Sequence, residues 1–478
     1  MIQYEAVIGL EVHAQLATNS KIFATSATTA GRPPNSLTDP VTLGMPGVLP
    51  VLNKRVVDFA IRLGLATNCE INRESIFARK HYFYPDLPKG YQISQYDKPI
   101  CHTGHLTIRL GGEHKRVGIT RIHLEEDAGK NTHGENEPTS FIDLNRAGVP
   151  LVEIVSEPDM RTPEEAGAYM RHIRQIVRYL EICDGNMEEG SLRCDANVSL
   201  RPLGSTELGT KVELKNINSF RFVEKAIAYE ITRQTMLLDQ GDKVIQETRL
   251  WDEQKGTTRS MRSKEYAEDY RYFPDPDLLP LVVDHEWIEK TRSALPELPE
   301  QVYGRFKKMY RMDEYYCDIL TEEKLTARYY DQAVAGHHNP AAIANWITTE
   351  LFGRLNKEGL DMEQCPVSPE NLALLVKLID DDVISGKIAK VVFDEMFSTG
   401  ASPLSIIEST GLKQISDKDH IAEVIDRILA NHPEQVAQFR EGKTKMMGFF
   451  VGQVMKETEG KANPKVVNEL LTQKLAGE

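Results

Sequence analysis

His123-Leu124-Glu125-Glu126-Asp127-Ala128-Gly129-Lys130 sets three consecutive carboxylates at the end of an alternating run that begins at Val117, with a glycine and a lysine behind them. The run reads as a strand and the glycine as its turn. A second charged cluster, Glu11-Val12-His13, lies far upstream on another alternating run. If the two strands share a sheet, their acids and histidine form a hard-cation site with room for phosphate. The competing reading of the triplet is a solvated strand end, the usual fate of a charge run.

Outward from this stretch, the strand signals multiply. Between Glu5 and Leu16, residues Ile8, Leu10, Val12 and Leu16 face one way, while Gly9, Glu11, His13 and Gln15 face the other. Leu151 to Val155 is apolar except for Glu153, and a glutamate inside such a run is costly to bury unless paired or metal-bound. Arg193 to Leu200 alternates Cys194, Ala196, Val198 and Leu200 against Arg193, Asp195, Asn197 and Ser199. Lys211 to Lys215 does the same, with Val212 and Leu214 against Lys211, Glu213 and Lys215, and the intervening Gly204 and Gly209 predict a hairpin. These polar faces mix acids, amides and cations, as a nucleotide or phosphate cleft requires. Cys194 falls on the packing face and reads as a core cysteine.

Helices punctuate the strands. Asn53 caps one with the stripe Val56, Val57, Ala60, Ile61 and Gly64; Thr162-Pro163-Glu164-Glu165 opens another as a capping box. A third runs from Ser219 to about Gln240 and closes at Gly241. Two segments, Arg79 to Gln92 and Asp269 to Asp277, are irregular by their prolines and carry aromatics and cations suited to stacking or to phosphate. After Ala294-Leu295-Pro296-Glu297-Leu298-Pro299-Glu300 the pattern is helical, with caps expected at Thr321-Glu322-Glu323, Asn339-Pro340 and Ser368-Pro369-Glu370. Lysine-rich stretches at 386–390, 442–456 and 460–465 are either phosphate-backbone contacts or solvated helix faces.

The expected fold class is α+β: a mixed or antiparallel-sheet cradle over residues 1–293, an all-α domain over 294–405, and an all-α tail over 406–478. The 478 residues suit about three domains. No apolar run spans a bilayer and no leader precedes the first strand, so a cytoplasmic protein is expected. A net charge of −14 argues against non-specific nucleic-acid binding, though a local basic patch can still bind. Six cysteines without CxxC spacing predict neither a disulfide frame nor a zinc knuckle.

There is no GxxxxGK[ST] loop, GxGxxG turn or GxSxG elbow. What remains is Glu11, His13, Glu125, Glu126, Asp127, Glu153 and Asp195. Carboxylates favour Mg²⁺, and such an ion neutralises a transferring phosphoryl group. Histidine is a less usual Mg²⁺ ligand, so His13 binds through water or acts on substrate. Lys80, Lys89, Lys130 and Arg193 are placed to stabilise phosphate. The residues alone therefore reach Mg²⁺-assisted phosphoryl transfer, with a non-catalytic nucleic-acid-binding scaffold and a free-standing carboxylate–ammonia ligase as alternatives.

Longer strings carry a resemblance. Val7 to His13, Tyr82-Phe83-Tyr84-Pro85-Asp86, Tyr91-Gln92-Ile93-Ser94-Gln95, Leu124 to Lys130, Asp143-Leu144-Asn145-Arg146, Met187 to Asn197 and Glu213-Leu214-Lys215-Asn216 are similar to motifs of the B-subunit family of bacterial aspartyl/glutamyl-tRNA amidotransferases. So are Tyr270 to Pro274, Met447-Gly448-Phe449 and Ala462-Asn463-Pro464, and the resemblance runs end to end. It implies a cradle related to the glutamine synthetase catalytic fold, then a helical domain and a tRNA-reading tail. It implies that ATP and Mg²⁺ phosphorylate the side-chain carboxyl of Glu-tRNA(Gln) or Asp-tRNA(Asn). Ammonia from a partner, the amidase or A-subunit, then gives the amide, and the small C-subunit holds the complex together.

On this reading the catalytic set is Glu11, His13, Glu125, Glu126, Lys130, Glu153 and Asp195, and the metal set is Glu11, His13, Glu125, Glu126, Asp127 and Glu153. The nucleotide falls to Lys80, Tyr84, Lys89, Tyr91, Gln92, Ser191, Arg193, Lys211, Glu213 and Lys215. The tRNA contacts of the tail are Lys443, Lys445, Lys456 and Lys461. Some members of the family hold zinc through cysteines in the loop after the first strand. That loop is Phe23-Ala24-Thr25-Ser26-Ala27-Thr28 in this chain, and no zinc is expected.

Overall fold

Nine strands form the central sheet of the computed structural model, which describes residues 2–133, 139–263, 270–412, 418–458 and 461–476. Asp269 and Gly460 lie outside the described residues. The strands are β1 (Tyr4–Gln15), β2 (Glu70–Ile71), β3 (Cys101–Leu110), β4 (Glu113–Glu126), β5 (Pro150–Ser156), β6 (Leu192–Pro202), β7 (Val212–Ile217), β8 (Glu247–Asp252) and β9 (Thr257–Ser263). Their order across the sheet is β9-β8-β7-β6-β1-β5-β4-β3-β2. Every neighbouring pair is antiparallel except β7 with β8, which makes the sheet mixed by that one pairing.

Alternation decides which face is dry. Leu10, Val12, Ile122, Leu124, Val152, Ile154, Cys194, Ala196 and Leu214 all project to one side, where they are buried in a single core. Three helices supply its other layer: α1 (Lys54–Ala66), α2 (Pro163–Tyr179) and α3 (Phe220–Asp239). Tyr169 and Ile173 of α2 and Val223 and Ile227 of α3 are fully buried there. With helices confined to one face, the opposite face of the sheet is left for polar side chains.

The expected caps form, with instructive differences. Asn53 accepts from the backbone of Arg55, and Ser219 from that of Phe222. Thr162 accepts from Glu165, but the Glu165 carboxylate turns to the backbone N–H of Arg161 and to Lys115, so the box is only half closed. Thr321 ends the helix Glu314–Thr321, its hydroxyl donating to the Cys317 carbonyl, and the next helix, Lys324–Gly336, follows directly from Glu323.

The proline-bearing segment after Arg79 is more regular than its composition suggests. Phe77–His81 and Tyr91–Gln95 pair as an antiparallel hairpin, and Pro85 and Pro88 fall in its loop, where no ladder bond is lost. Phe273–Pro274 adds an edge strand to it. The hairpin lies beside the end of β4, where Gln95 accepts from the Leu124 N–H and Gln92 donates to the Glu126 carbonyl.

The chain divides into two compact units, Met1–Pro299 and Glu300–Glu478. All regular structure among the described residues of the second is helical. Within it, Ile421, Ile425, Phe450, Val454, Val467 and Leu471 form a hydrophobic core of their own. No described helix is long and apolar enough to cross a membrane.

Candidate active site

Strand register builds the site. His13 on β1 pairs with Glu153 on β5 and with Arg193 on β6, and Glu153 in turn pairs with His123 on β4. These four residues form one row across the polar face. The next row runs Asp195, Glu11, Val155, Arg121 and His102. Glu125 stands two residues from His123 on the same face of β4, and Glu213 on β7 pairs with Asn197 on β6.

The rows place two acid clusters side by side. In the first, His13, Glu125 and Glu153 bring ligand atoms within 4.8 Å of one another. His13 Nε2 lies 3.2 Å from Glu153 and 3.7 Å from Glu125; His123 Nε2 makes the same two contacts at 3.2 and 3.7 Å. In the second, Glu11, Asp195 and Glu213 converge equally closely. Lys215 bridges that cluster at 2.6 Å from Asp195 and 3.0 Å from Glu213, and Asn197 donates to Glu11.

Electrostatics tie the clusters together. Burial works against charge on both histidines, but Glu153 outweighs it, holding His13 above its usual range and taking His123 to about 9. Burial opposes charge on Glu153 too, and the two histidines override it, leaving that carboxyl well below the usual carboxylate range. Glu11 moves up, first through burial and then through the like charges of Glu153, Asp195 and Glu213. Three carboxylates gathered round one lysine match the oxygen ligands of a hard divalent cation. The nitrogen-and-two-carboxylate set of the first cluster is a second donor set of the kind that can hold a cation, and the Nδ1 of His123 behind it is buried without a hydrogen-bond partner.

The three carboxylates of 125–127 are not solvated: all are 3–4% exposed. Only Glu125 faces the histidines. Glu126 pairs with Lys89 and accepts from the backbone N–H of Ile93, while Asp127 accepts from Gln15 and from Arg193 at 2.9 Å. These two acids brace the wall behind the first cluster.

The other expected residues separate into contacts and bystanders. Gln92 is buried against Glu126, Lys80 sits 4.8 Å over the Tyr270 ring, and Tyr91 lies under Arg79 and Lys89. Ser191 is occupied by the loop before β6, donating to Asp184 and to the Asn186 carbonyl. Tyr84 and Lys211 are exposed, and Lys130 is exposed on a short hairpin opposite Asp143. In the second unit Lys443, Lys445 and Lys456 are exposed and Lys461 is half-buried.

Sequence reading missed His123. Parity could have found it, since residues 121, 123 and 125 of one strand share a face.

Such a sheet with two carboxylate clusters on its open face, followed by a helical unit, has the makings of a cation-dependent enzyme with an appended helical module. Comparison with known proteins makes this particular. The GatB/GatE catalytic domain matches residues 6–289 and the GatB domain matches residues 328–475. The chain is similar to the B subunit of the aspartyl/glutamyl-tRNA(Asn/Gln) amidotransferase from Thermodesulfovibrio yellowstonii, 58% identical over 98% of this chain and 99% of that one. It is equally similar to that of Syntrophotalea carbinolica (58%, covering 100% and 99%) and close to that of Geobacter sulfurreducens (57%, covering 100% of both). The chain belongs to the B-subunit family of aspartyl/glutamyl-tRNA(Asn/Gln) amidotransferases, a family of ligase subunits.

Proposed function

We propose that this chain is the phosphorylating and amidating subunit of a tRNA-dependent amidotransferase. The observation that carries the reading is the pair of acid clusters, His13/Glu125/Glu153 and Glu11/Asp195/Glu213, adjacent on one sheet face. Each would hold one Mg²⁺, and ions bound there would supply positive charge against the phosphoryl group in transit. The substrate is the side-chain carboxylate of Glu-tRNA(Gln) or Asp-tRNA(Asn). Its oxygen attacks the γ-phosphorus of ATP, ADP leaves, and ammonia displaces phosphate from the acyl carbon to give the amide.

The chain's own side chains prepare that reaction. Lys215 balances the second cluster, Asn197 orients Glu11, and Lys89 and Arg193 neutralise the acids that would otherwise repel a polyphosphate. The buried wall of Glu125 to Asp127 limits water, which protects an acyl phosphate from hydrolysis. We read residues 1–293 as a cradle related to the glutamine synthetase fold, 294–405 as a helical domain and 406–478 as the part that grips tRNA. The partners are the amidase or A-subunit, which releases ammonia, and the small C-subunit of the same complex, in the cytoplasm.

Glu153→Gln in the reconstituted complex tests the core of this. Phosphate transfer from γ-labelled ATP to Glu-tRNA(Gln) is expected to fall by about two orders of magnitude or more, with glutamine hydrolysis by the partner persisting. Full transfer by that variant would sink the proposal.

A further inference from the structure

A carboxylate serves a cation best when its rotamer is already fixed, because a swinging oxygen must be ordered again each time the ion binds. In the second cluster the acids are restrained one by one. Asn197 donates to Oε1 of Glu11 at 3.0 Å, and Lys215 reaches Oδ2 of Asp195 at 2.6 Å and Oε1 of Glu213 at 3.0 Å. The other oxygen of Glu213, Oε2, accepts from the hydroxyl of Thr248 at 2.8 Å. Thr248 is 4% exposed and stands on β8, one strand beyond those that supply the cluster.

The build of β8 brings that hydroxyl to Glu213. Its pairing with β7 is the parallel one, and the register sets Thr248 directly beside Glu213. Against β9 the register slips at the same residue, passing from Thr248 opposite Arg262 to Arg249 opposite Ser260, a bulge of the kind that collects beside active sites. Glu247 and Arg249 flank Thr248 and so point to the other face, towards the helices. There Arg249 Nη1 meets Glu247 at 2.6 Å, and its Nε meets the Thr258 hydroxyl at 2.7 Å. Behind them Glu230 of α3, fully buried, takes Arg233 at 2.6 Å and lies 3.8 Å from Arg249. This ionic clamp fixes β8 against α3 and with it the place of Thr248.

Most side-chain hydrogen bonds go to backbone or water, and the hydroxyls of Thr232 and Thr235 on α3 follow that habit, each on a backbone carbonyl. Thr248 instead donates to a charged oxygen of the cation cluster, which makes the stronger bond. With Oε2 held there, Oε1 of Glu213 stays on the side of Lys215 and Asp195.

We propose that Thr248 is a positioning residue of the reaction: its hydroxyl fixes the Glu213 carboxylate and so sets how tightly the second cluster holds its cation. The inference rests on the two-ion reading for what the cluster holds, and the experiment separates the two.

The probe is Mn²⁺ alone, titrated into the full chain and followed by the electron paramagnetic resonance of the free ion. Glu213→Gln and Glu153→Gln each remove one site and so assign the two clusters. Thr248→Val keeps the shape and deletes the donor. It is expected to weaken about ten- to a hundredfold the site that Glu213→Gln removes, and to leave the other where it was. Thr248→Ser restores the affinity, and Thr248→Cys, a weaker donor, falls between, so the series can be read even where the valine variant folds poorly. In the reconstituted complex Thr248→Val raises by a similar factor the Mg²⁺ concentration at half-maximal phosphate transfer and leaves the KM for charged tRNA unchanged. Unaltered Mn²⁺ affinity in all three Thr248 variants, beside loss of a site in Glu213→Gln, would overturn the inference and keep the two-ion reading. A loss in Thr248→Ser as deep as in Thr248→Val would also overturn it, by making the residue one of packing. Unchanged binding in both Glu213→Gln and Glu153→Gln would remove the two ions and the inference with them.

Discussion

One oxygen of Glu153 lies 3.2 Å from the Nε2 of both His13 and His123, so this carboxylate holds the first cluster together. It sits in an otherwise apolar strand, and those two histidines offset the cost of burying it there. His172 on α2 shows the opposite arrangement. Burial comes first, the positive Arg109 adds to it, and the imidazole is pushed down to about 4 despite a hydrogen bond at Thr107. The sign is then set. The unfolded chain takes up a proton near pH 6.5 and the folded chain does not, so stability present above that pH is lost as pH falls towards 4. We expect His172→Gln to remove an acid sensitivity on the order of 2 kcal/mol, read as the difference in unfolding free energy between the two proteins at pH 7 and pH 4.5.

At the scale of elements, close approach and capping can be tested separately. Gly104 on β3 comes so near the end of α1 that a Cβ there would meet Cys69 Sγ at 2.1 Å and the Thr67 carbonyl at 2.8 Å. Gly104→Ala forces backbone to move and should cost about 1–3 kcal/mol, visible as a lowered thermal midpoint. Thr162→Ala deletes the side-chain acceptor at the start of α2 and should cost about 1 kcal/mol in chemical denaturation. The caps at Asn53, Thr162 and Ser219 were legible because each acts within a few residues of itself. The hairpin β8–β9 and the strand β3 were not read at all. Arg249, Leu250 and Trp251 of β8 show no clean alternation and become a strand by pairing with β7 and β9, whereas Leu106, Ile108 and Leu110 of β3 do alternate with His105, Thr107 and Arg109, a signal that was there to be read.

For the whole molecule, the separate core of residues 421–475 has a consequence. A chain ending at residue 412 keeps every residue of both acid clusters and of the sheet that carries them. On the proposed two-ion reading we expect Mg²⁺ to raise the thermal midpoint of the full chain and of this shorter one alike, and the shorter chain to lose tRNA affinity at moderate salt by about tenfold or more. Equal affinity of the two chains would place the tRNA contacts outside the tail.

The alternation of β1, β4, β5 and β6 determined, without any structure, which side chains face together on each strand, and so put Glu11 with His13 and made Glu153 anomalous. It also set the helices and their starts, because caps and stripes are local. Which strands adjoin was beyond it. Pairing of β1 with both β5 and β6 depends on closing long loops round a common core, and that pairing alone separates Glu125, which joins the histidines, from Glu126 and Asp127, which turn to Lys89 and Arg193. Parity could set only Glu126 apart from Glu125, because residues i and i+2 of a strand share a side, and it took the fold to turn Asp127 to Gln15 and Arg193.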